Sequence, residues 1–122
     1  LKTAGICNNI INTEVIMIDV KDANFDAEVI AKSKTVPVLV DFWAAWCGPC
    51  RMLGPVLEKL ETDFAGKFIL AKVNVDENMA VASKYAIMSI PNVKLFRNGE
   101  IIDQFVGALA EEAVKKFLSK HL

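Results

Sequence analysis

Apolar positions change their period several times along this chain, and each change marks an element. Glu14 to Val20 reads as a strand. Asn24 then stands as a helix N-cap, with Phe25 and Val29 on the inward side of a short helix that reaches about Ala31. Ser33-Lys34-Thr35 turns the chain into Val36 to Phe42, an apolar run rich in β-branched residues that predicts a buried strand. From Cys47 to about Asp63 the apolar positions Leu53, Val56, Leu57, Leu60 and Phe64 recur at helical spacing. Pro55 lies inside that helix and predicts a kink, because it removes one backbone donor.

Phe68 to Val75 reads as the next strand, and Asn78 to Tyr85 as a shorter helix of weaker periodicity. Ile90-Pro91 breaks the chain before a strand at Val93 to Phe96. Asn98-Gly99 then predicts a tight hairpin into Ile101 to Val106, since both residues tolerate positive φ. Ala110, Ala113, Val114, Phe117 and Leu118 mark a closing amphipathic helix. Leu1 to Thr13 shows no sustained period and reads as an N-terminal extension, so the domain spans residues 14–122. The order is β-α-β-α-β-α followed by β-β-α, which predicts an α/β fold with a mixed central β-sheet and helices on both faces. In such sheets reactive groups cluster where strand ends feed helices, as Phe42 to Cys47 does here.

A length of 122 residues suits one domain with a genuine core, and 53% hydrophobic with 24% charged residues is ordinary globular composition. Fourteen basic side chains against 15 acidic ones leave a net charge of -1, with no basic excess to recommend nucleic acid or a membrane surface as partner. No apolar run approaches the length of a membrane span. Three cysteines, one close pair and the distant Cys7, fit an intracellular redox protein better than a secreted disulfide framework. The chain therefore reads as a cytoplasmic monomer. Leu1 to Thr13 has a single Lys2, a short apolar patch at Ile10-Ile11 and several asparagines, which is not the make-up of a signal peptide. The sequence has no initiator Met, and a leader removed before Leu1 would place it in an organelle matrix. Cys7, among asparagines and without a basic neighbour, reads as an inert thiol, and His121 as a solvated side chain near a helix C-terminus.

The candidate chemistry sits in Trp46-Cys47-Gly48-Pro49-Cys50. Two cysteines separated by two residues can close a small disulfide ring and open it again. Cys47 falls at the mouth of a helix, where unpaired N–H groups and the helix dipole stabilise a thiolate, the nucleophile of disulfide exchange. Cys50, three residues on, shares that face but is less exposed, which suits it to attack the mixed disulfide that Cys47 forms. Gly48 and Pro49 set the turn, and proline suits a first helical turn because its missing donor costs nothing there. A structural zinc site would need four ligands where this pair offers two, and the remaining thiol and imidazole, Cys7 and His121, lie at opposite ends of the chain. Asp41 is the odd residue of its strand. It reads either as a carboxylate at the strand end in water or as a buried acid of raised pKa, and the pattern leaves both open. Lys72 likewise either pairs with Asp41 or lies solvated on the outer face of the sheet. The Ile90-Pro91 bond, on base expectation, is trans.

The run Asp41-Phe42-Trp43-Ala44-Ala45-Trp46-Cys47-Gly48-Pro49-Cys50-Arg51, with Lys72, Asp76, Ile90-Pro91, Asn98-Gly99 and Gly107 at matching spacing, resembles the thioredoxin family over about Val15 to Leu122. The resemblance implies the thioredoxin fold and a protein-disulfide reductase with no bound cofactor, whose redox group is the Cys47–Cys50 disulfide. It implies electrons drawn from a thioredoxin reductase and passed to diverse disulfide-containing proteins. Asp41 is then a buried acid that accepts the Cys50 proton, directly or through water, and Lys72 its charged companion. The resemblance also reverses the expectation at Pro91, implying a cis bond packed against the cysteines. An extended substrate segment would pair with the backbone at Ile90 and touch Trp46, Gly48, Pro49, Val75, Gly107 and Ala108. Core packing is the competing reading for Val75, and Trp43 reads as packing beneath the site. A dedicated oxidant or isomerase of the same fold, or a non-redox scaffold subunit, are the alternatives, and Gly-Pro between the cysteines resembles the reducing members. Asn92 stands where the family carries Thr or Ser, Met88 sits near the expected contact surface, and an extension precedes the first strand. These departures bear on partner choice rather than on the chemistry.

Overall fold

Alternate residues of the central strands enter two different apolar layers, and that alternation organises the molecule. The structure, a computed structural model, describes residues 17–122. The expectations for Leu1 to Thr13, for Cys7 and for the start of the first strand lie outside the described residues. Within them the strands are β1 (Met17–Asp19), β2 (Val38–Trp43), β3 (Ile69–Asn74), β4 (Asn92–Arg97) and β5 (Glu100–Val106). Their spatial order is β1-β3-β2-β4-β5. The first three are mutually parallel, β4 runs antiparallel to β2, and β5 antiparallel to β4. Three α-helices accompany them: α1 (Gly48–Asp63), α2 (Met79–Lys84) and α3 (Glu111–Ser119). This is the expected mixed sheet of the thioredoxin fold.

Val38, Val40, Phe42, Ile69, Ala71, Val73 and Phe96 pack with Phe25, Val29 and Val81 on one face. Leu39, Leu70, Val93 and Leu95 pack on the other with Leu53, Leu57 and Leu60 of α1 and Val114, Phe117 and Leu118 of α3. A strand covered on both sides needs apolar residues at every position, which is why Val36 to Phe42 reads as a continuous run rather than an alternation. Asp41 breaks that run on the side facing α1, in step with Leu39 two residues earlier.

Between β1 and β2 the chain is helical but irregular. Tight turns at Asp22–Asn24 and Lys32–Lys34 flank a wide, π-type turn at Asp26–Ala31. Asn24 is therefore not the N-cap of a regular helix; its Oδ1 reaches back to accept the Lys21 N–H at 2.7 Å. Its neighbour Asp22 caps a different helix: Asp22 Oδ1 and Oδ2 accept the N–H groups of Val81 (2.9 Å) and Ala80 (3.3 Å) in α2. The hairpin forms as expected, with φ of 55° at Asn98 and 81° at Gly99. Ser33 bolts it down from across the fold, its carbonyl accepting the Asn98 N–H and its Oγ the Gly99 N–H, both at 2.8 Å. α1 continues unbroken through the exposed Pro55.

His121 departs from its expectation. Its Nε2 lies 2.7 Å from Asp103 Oδ2 on β5, and the Arg97 guanidinium donates to its carbonyl at 3.2 Å. Together with the edge-on Phe105–Phe117 pair, this seam holds the end of α3 to the hairpin. The sequence around His121 says nothing of a partner 18 residues upstream.

Candidate active site

β2 ends at Trp43, and the chain turns through Ala44-Ala45-Trp46 into α1. The Cys47 N–H donates to the Ala44 carbonyl at 3.2 Å, and the Arg51 guanidinium donates to the Ala45 carbonyl at 2.9 Å, which fixes the turn. Cys47 is the N-cap, extended at φ −89° and ψ 110°, and its Sγ accepts the Cys50 N–H at 3.2 Å. A helix end leaves its first N–H groups without backbone partners, and here one of them points at sulfur. When the disulfide opens, that donor and the helix dipole favour the anionic form of the sulfur they face. The two cysteines are joined in a disulfide with Cα atoms 5.3 Å apart, and only 4% of Cys47 and 3% of Cys50 is exposed.

Ala44, Trp43, Val75 and Ile90 pack around the two sulfurs. The Ile90-Pro91 bond is cis, and the Ile90 carbonyl oxygen lies 3.9 Å from Cys47 Sγ. The Gly107 N–H donates to the Pro91 carbonyl at 2.8 Å, from a φ of 97° that a side chain would resist. Trp46 is 68% exposed, yet its Nε1 donates to Asp76 Oδ2 at 2.8 Å, so the ring stands as a fixed plate beside the cysteines. Of the other residues expected to meet substrate, Pro49 and Ala108 are exposed, Gly48, Val75, Ile90 and Gly107 half-buried, and Pro91 buried. Val75 thus serves packing and surface at once. A Cβ at Gly48 would meet nothing within 4 Å, which makes that point of the turn open ground.

Asp41 is fully buried, which decides between the two readings of its strand position. It lies level with Lys72 on β3 and Val93 on β4. The expected direct pair with Lys72 is not made. The Lys72 ammonium lies 3.8 Å from Glu58 Oε2 on α1 and 5.2 Å above the Trp43 ring, while neither Asp41 oxygen has a hydrogen-bond partner among the described residues. The physical reason is desolvation: a half-exposed carboxylate on the helix accepts a cation at less cost than a fully buried one. Burial pushes the Asp41 carboxyl up to about 6, with Lys72 pulling it down and Glu58 pushing it further up.

Two side chains in this arrangement escaped the reading of the sequence. Asp76 marks the family pattern, but nothing local shows that it holds Trp46. Glu58 looks like one more charge on a helix surface. A signal for it exists in Gly54, one turn earlier on α1, where a Cβ would come 3.4 Å from Lys72 Nζ. The small residue and the carboxylate four positions on together open a slot for the ammonium. Among the described residues no three His, Cys, Asp or Glu side chains are grouped to hold a metal ion, and no helix is long and apolar enough to cross a membrane.

What this helix end can do is make and break sulfur–sulfur bonds, and that places the chain among the thiol-disulfide oxidoreductases. The thioredoxin family model matches residues 16–120. Thioredoxin 2 of Chlorobaculum tepidum is 52% identical over 101 residues, covering 83% of this chain and 91% of that protein. Thioredoxin 1 of a Nostoc species is 48% identical over 103 residues (84% and 94%), and the thioredoxin of Haemophilus influenzae 40% over 106 residues (87% and 97%). The chain belongs to the thioredoxin family. It is a protein-disulfide reductase that works by dithiol–disulfide exchange through Cys47 and Cys50, and its redox group is the disulfide those residues form. The family works in general with a thioredoxin reductase and with disulfide-containing proteins.

Proposed function

We propose that Cys47 is the attacking sulfur, Cys50 the resolving one, Asp41 the proton acceptor, and Lys72 the cation that tempers Asp41. The Cys47 thiolate attacks one sulfur of a substrate disulfide; a Cys47–substrate bond forms and the other substrate sulfur leaves with the electron pair. Cys50 then gives its proton to the Asp41 carboxylate, and its sulfur bonds to Cys47 Sγ. The substrate's second sulfur departs as a thiolate and takes a proton. Two electrons have reached the substrate, and the Cys47–Cys50 disulfide is restored. The observation that carries this division of labour is the Cys50 N–H held 3.2 Å from Cys47 Sγ at the helix N-cap. It favours negative charge on the first sulfur and leaves the second, as fully covered but without such a donor among the described residues, in need of a base. Asp41, pushed up to about 6, has a proton affinity suited to that task near neutral pH.

In this reading an extended segment of the substrate lies along Ile90 and Pro91, bordered by Trp46, Gly48, Pro49, Val75, Gly107 and Ala108. The fixed Trp46 plate and the half-buried Val75 and Ile90 support it, since a flat apolar border beside a backbone edge suits partners of varied sequence. A thioredoxin reductase supplies the electrons. A reducing compartment, the cytoplasm or an organelle matrix, suits a protein that opens disulfides. We read residues 14–122 as the catalytic domain and 1–13 as an extension, in keeping with the family match over 16–120.

Single-turnover kinetics on a mixed-disulfide substrate test the assignment. Asp41→Ala slows release of the mixed disulfide more than its formation, and equal slowing of both steps would contradict the role of Asp41. Reduction of insulin disulfides with and without a thioredoxin reductase tests the electron source: turnover is sustained when the reductase is present, and turnover indifferent to it would count against that partner.

A further inference from the structure

Lys72 lies beside two carboxylates and is bonded to the one that carries no role in the exchange chemistry. Its ammonium reaches past Asp41, its register neighbour, into the slot over Gly54, where it meets Glu58 Oε2 at 3.8 Å and the face of Trp43 at 5.2 Å. We infer that Glu58 is a positioning residue for the resolving step, its carboxylate holding the Lys72 ammonium toward α1 and so withholding that positive charge from Asp41. The inference rests on the reading of Asp41 as the proton acceptor of Cys50.

The surroundings leave few other candidates for that control. Asp41 faces Lys72 from β3 and Val93 from β4, while α3 brings Val114, Phe117 and Leu118 to the same layer, all apolar. The charges that shift Asp41 are those of Lys72 and Glu58, with opposite sign, and the buried face of α1 carries one further carboxylate, Glu61, a turn beyond Glu58. A carboxylate that must take a proton from a thiol works best when it holds that proton firmly, and an ammonium in direct contact would weaken its hold. Parked on Glu58, Lys72 stays near enough to make the ionised form of Asp41 accessible but not so near as to fix it. Glu58 is half-exposed and Lys72 largely covered, so the pair sits at the boundary where one end is anchored by solvent.

The test is a titration of the Asp41 carboxyl carbon by NMR in the oxidised protein, where the two active-site cysteines do not ionise. Glu58→Gln keeps the shape and half-exposed setting of the side chain while removing its charge. The Asp41 midpoint falls by about half a pH unit or more, and Glu58→Asp restores most of the original value. In a Lys72→Met background the same Glu58→Gln change moves the midpoint by less than half as much, because the cation it releases is gone. A midpoint unchanged to within about 0.2 pH in the single variant, or a full-sized change in the Lys72→Met background, overturns the inference. The pH profile of mixed-disulfide release follows the NMR midpoint downward in Glu58→Gln. A lowered NMR midpoint with an unmoved release profile would overturn the assignment of Asp41 and this proposal with it, whereas an unmoved NMR midpoint overturns the proposal alone.

Discussion

Asp41 sits among apolar strand residues with no hydrogen-bond partner in the described chain, and its burial makes the stability of the fold depend on pH. The folded protein holds the carboxyl at about 6 against an ordinary 3.8. Below the ordinary value the group is protonated whether the chain is folded or not, and burial carries no electrostatic cost. As pH rises through the folded value the fold must bury a charge, and it loses roughly 3 kcal/mol relative to acid conditions. Asp41→Asn removes that titration. In urea unfolding of the oxidised protein, the variant therefore gains on the parent between about pH 4 and pH 7, by roughly 3 kcal/mol at the upper end. A difference in stability that stays flat across that range would contradict the account. The position was visible in the sequence as a carboxylate out of keeping with Val40 and Phe42, but hydropathy does not say whether such a residue ends a strand or lies under a helix. Glu58 was less visible still, because the ion pair it makes joins α1 to a strand that only the crossover topology brings beneath it.

At the scale of elements, α1 contains a glycine in its middle that the slot for Lys72 uses but does not strictly require. An added methyl at Gly54 meets the flexible tip of Lys72 at ordinary contact distance, 3.4 Å. Gly54→Ala is expected to stabilise the oxidised protein by roughly 0.5–1 kcal/mol through helix propensity, read as a change in the urea midpoint without a change in slope. Destabilisation instead would show that Lys72 cannot give way. The seam between α3 and β5 behaves oppositely to Asp41. The hydrogen bond from His121 holds the Asp103 carboxyl below its ordinary value, so its contribution is present above that value and lost as pH falls through the lowered one. Asp103→Asn therefore costs under about 1 kcal/mol near neutrality, and in thermal melts its difference from the parent closes as the pH falls through the lowered value. The regular elements were legible because period and turn chemistry agree: β2, α1, the Asn98-Gly99 hairpin and α3 appear within a few residues of their expected places. The pattern predicts a simple helix capped at Asn24 and reaching about Ala31, whereas the segment from Asp22 to Lys34 forms a run of irregular turns. Its turns are set by distant partners, Asp22 serving the start of α2 and Ser33 the hairpin, and no local pattern reports that.

On the scale of the whole molecule, the sheet brings the cysteines at the C-terminal end of β2 against the loop that enters β4, two segments roughly forty residues apart in the chain. The family pattern carried that juxtaposition, including the cis bond at Pro91, where base expectation pointed the other way. It also carried the proposed substrate border, which no periodicity would have suggested, since Gly107 and Ala108 follow the return of β5 beside β4. The proposed division of labour between the two sulfurs makes a further prediction. Cys50→Ser still attacks substrate disulfides but accumulates the mixed disulfide, nearly one substrate per chain, seen as a mass increase that dithiothreitol reverses. Cys47→Ser traps none. Trapping by both variants alike would mean that the sulfurs are interchangeable.

The most direct measurement is the alkylation of the reduced protein by iodoacetamide at pH 7, followed at Cys47 by peptide mass spectrometry beside free cysteine. With an N–H aimed at its sulfur and a helix dipole behind it, Cys47 is expected to react several-fold faster than the free amino acid. A rate equal to that of free cysteine, or slower, would contradict the claim that the helix end prepares this thiol for exchange.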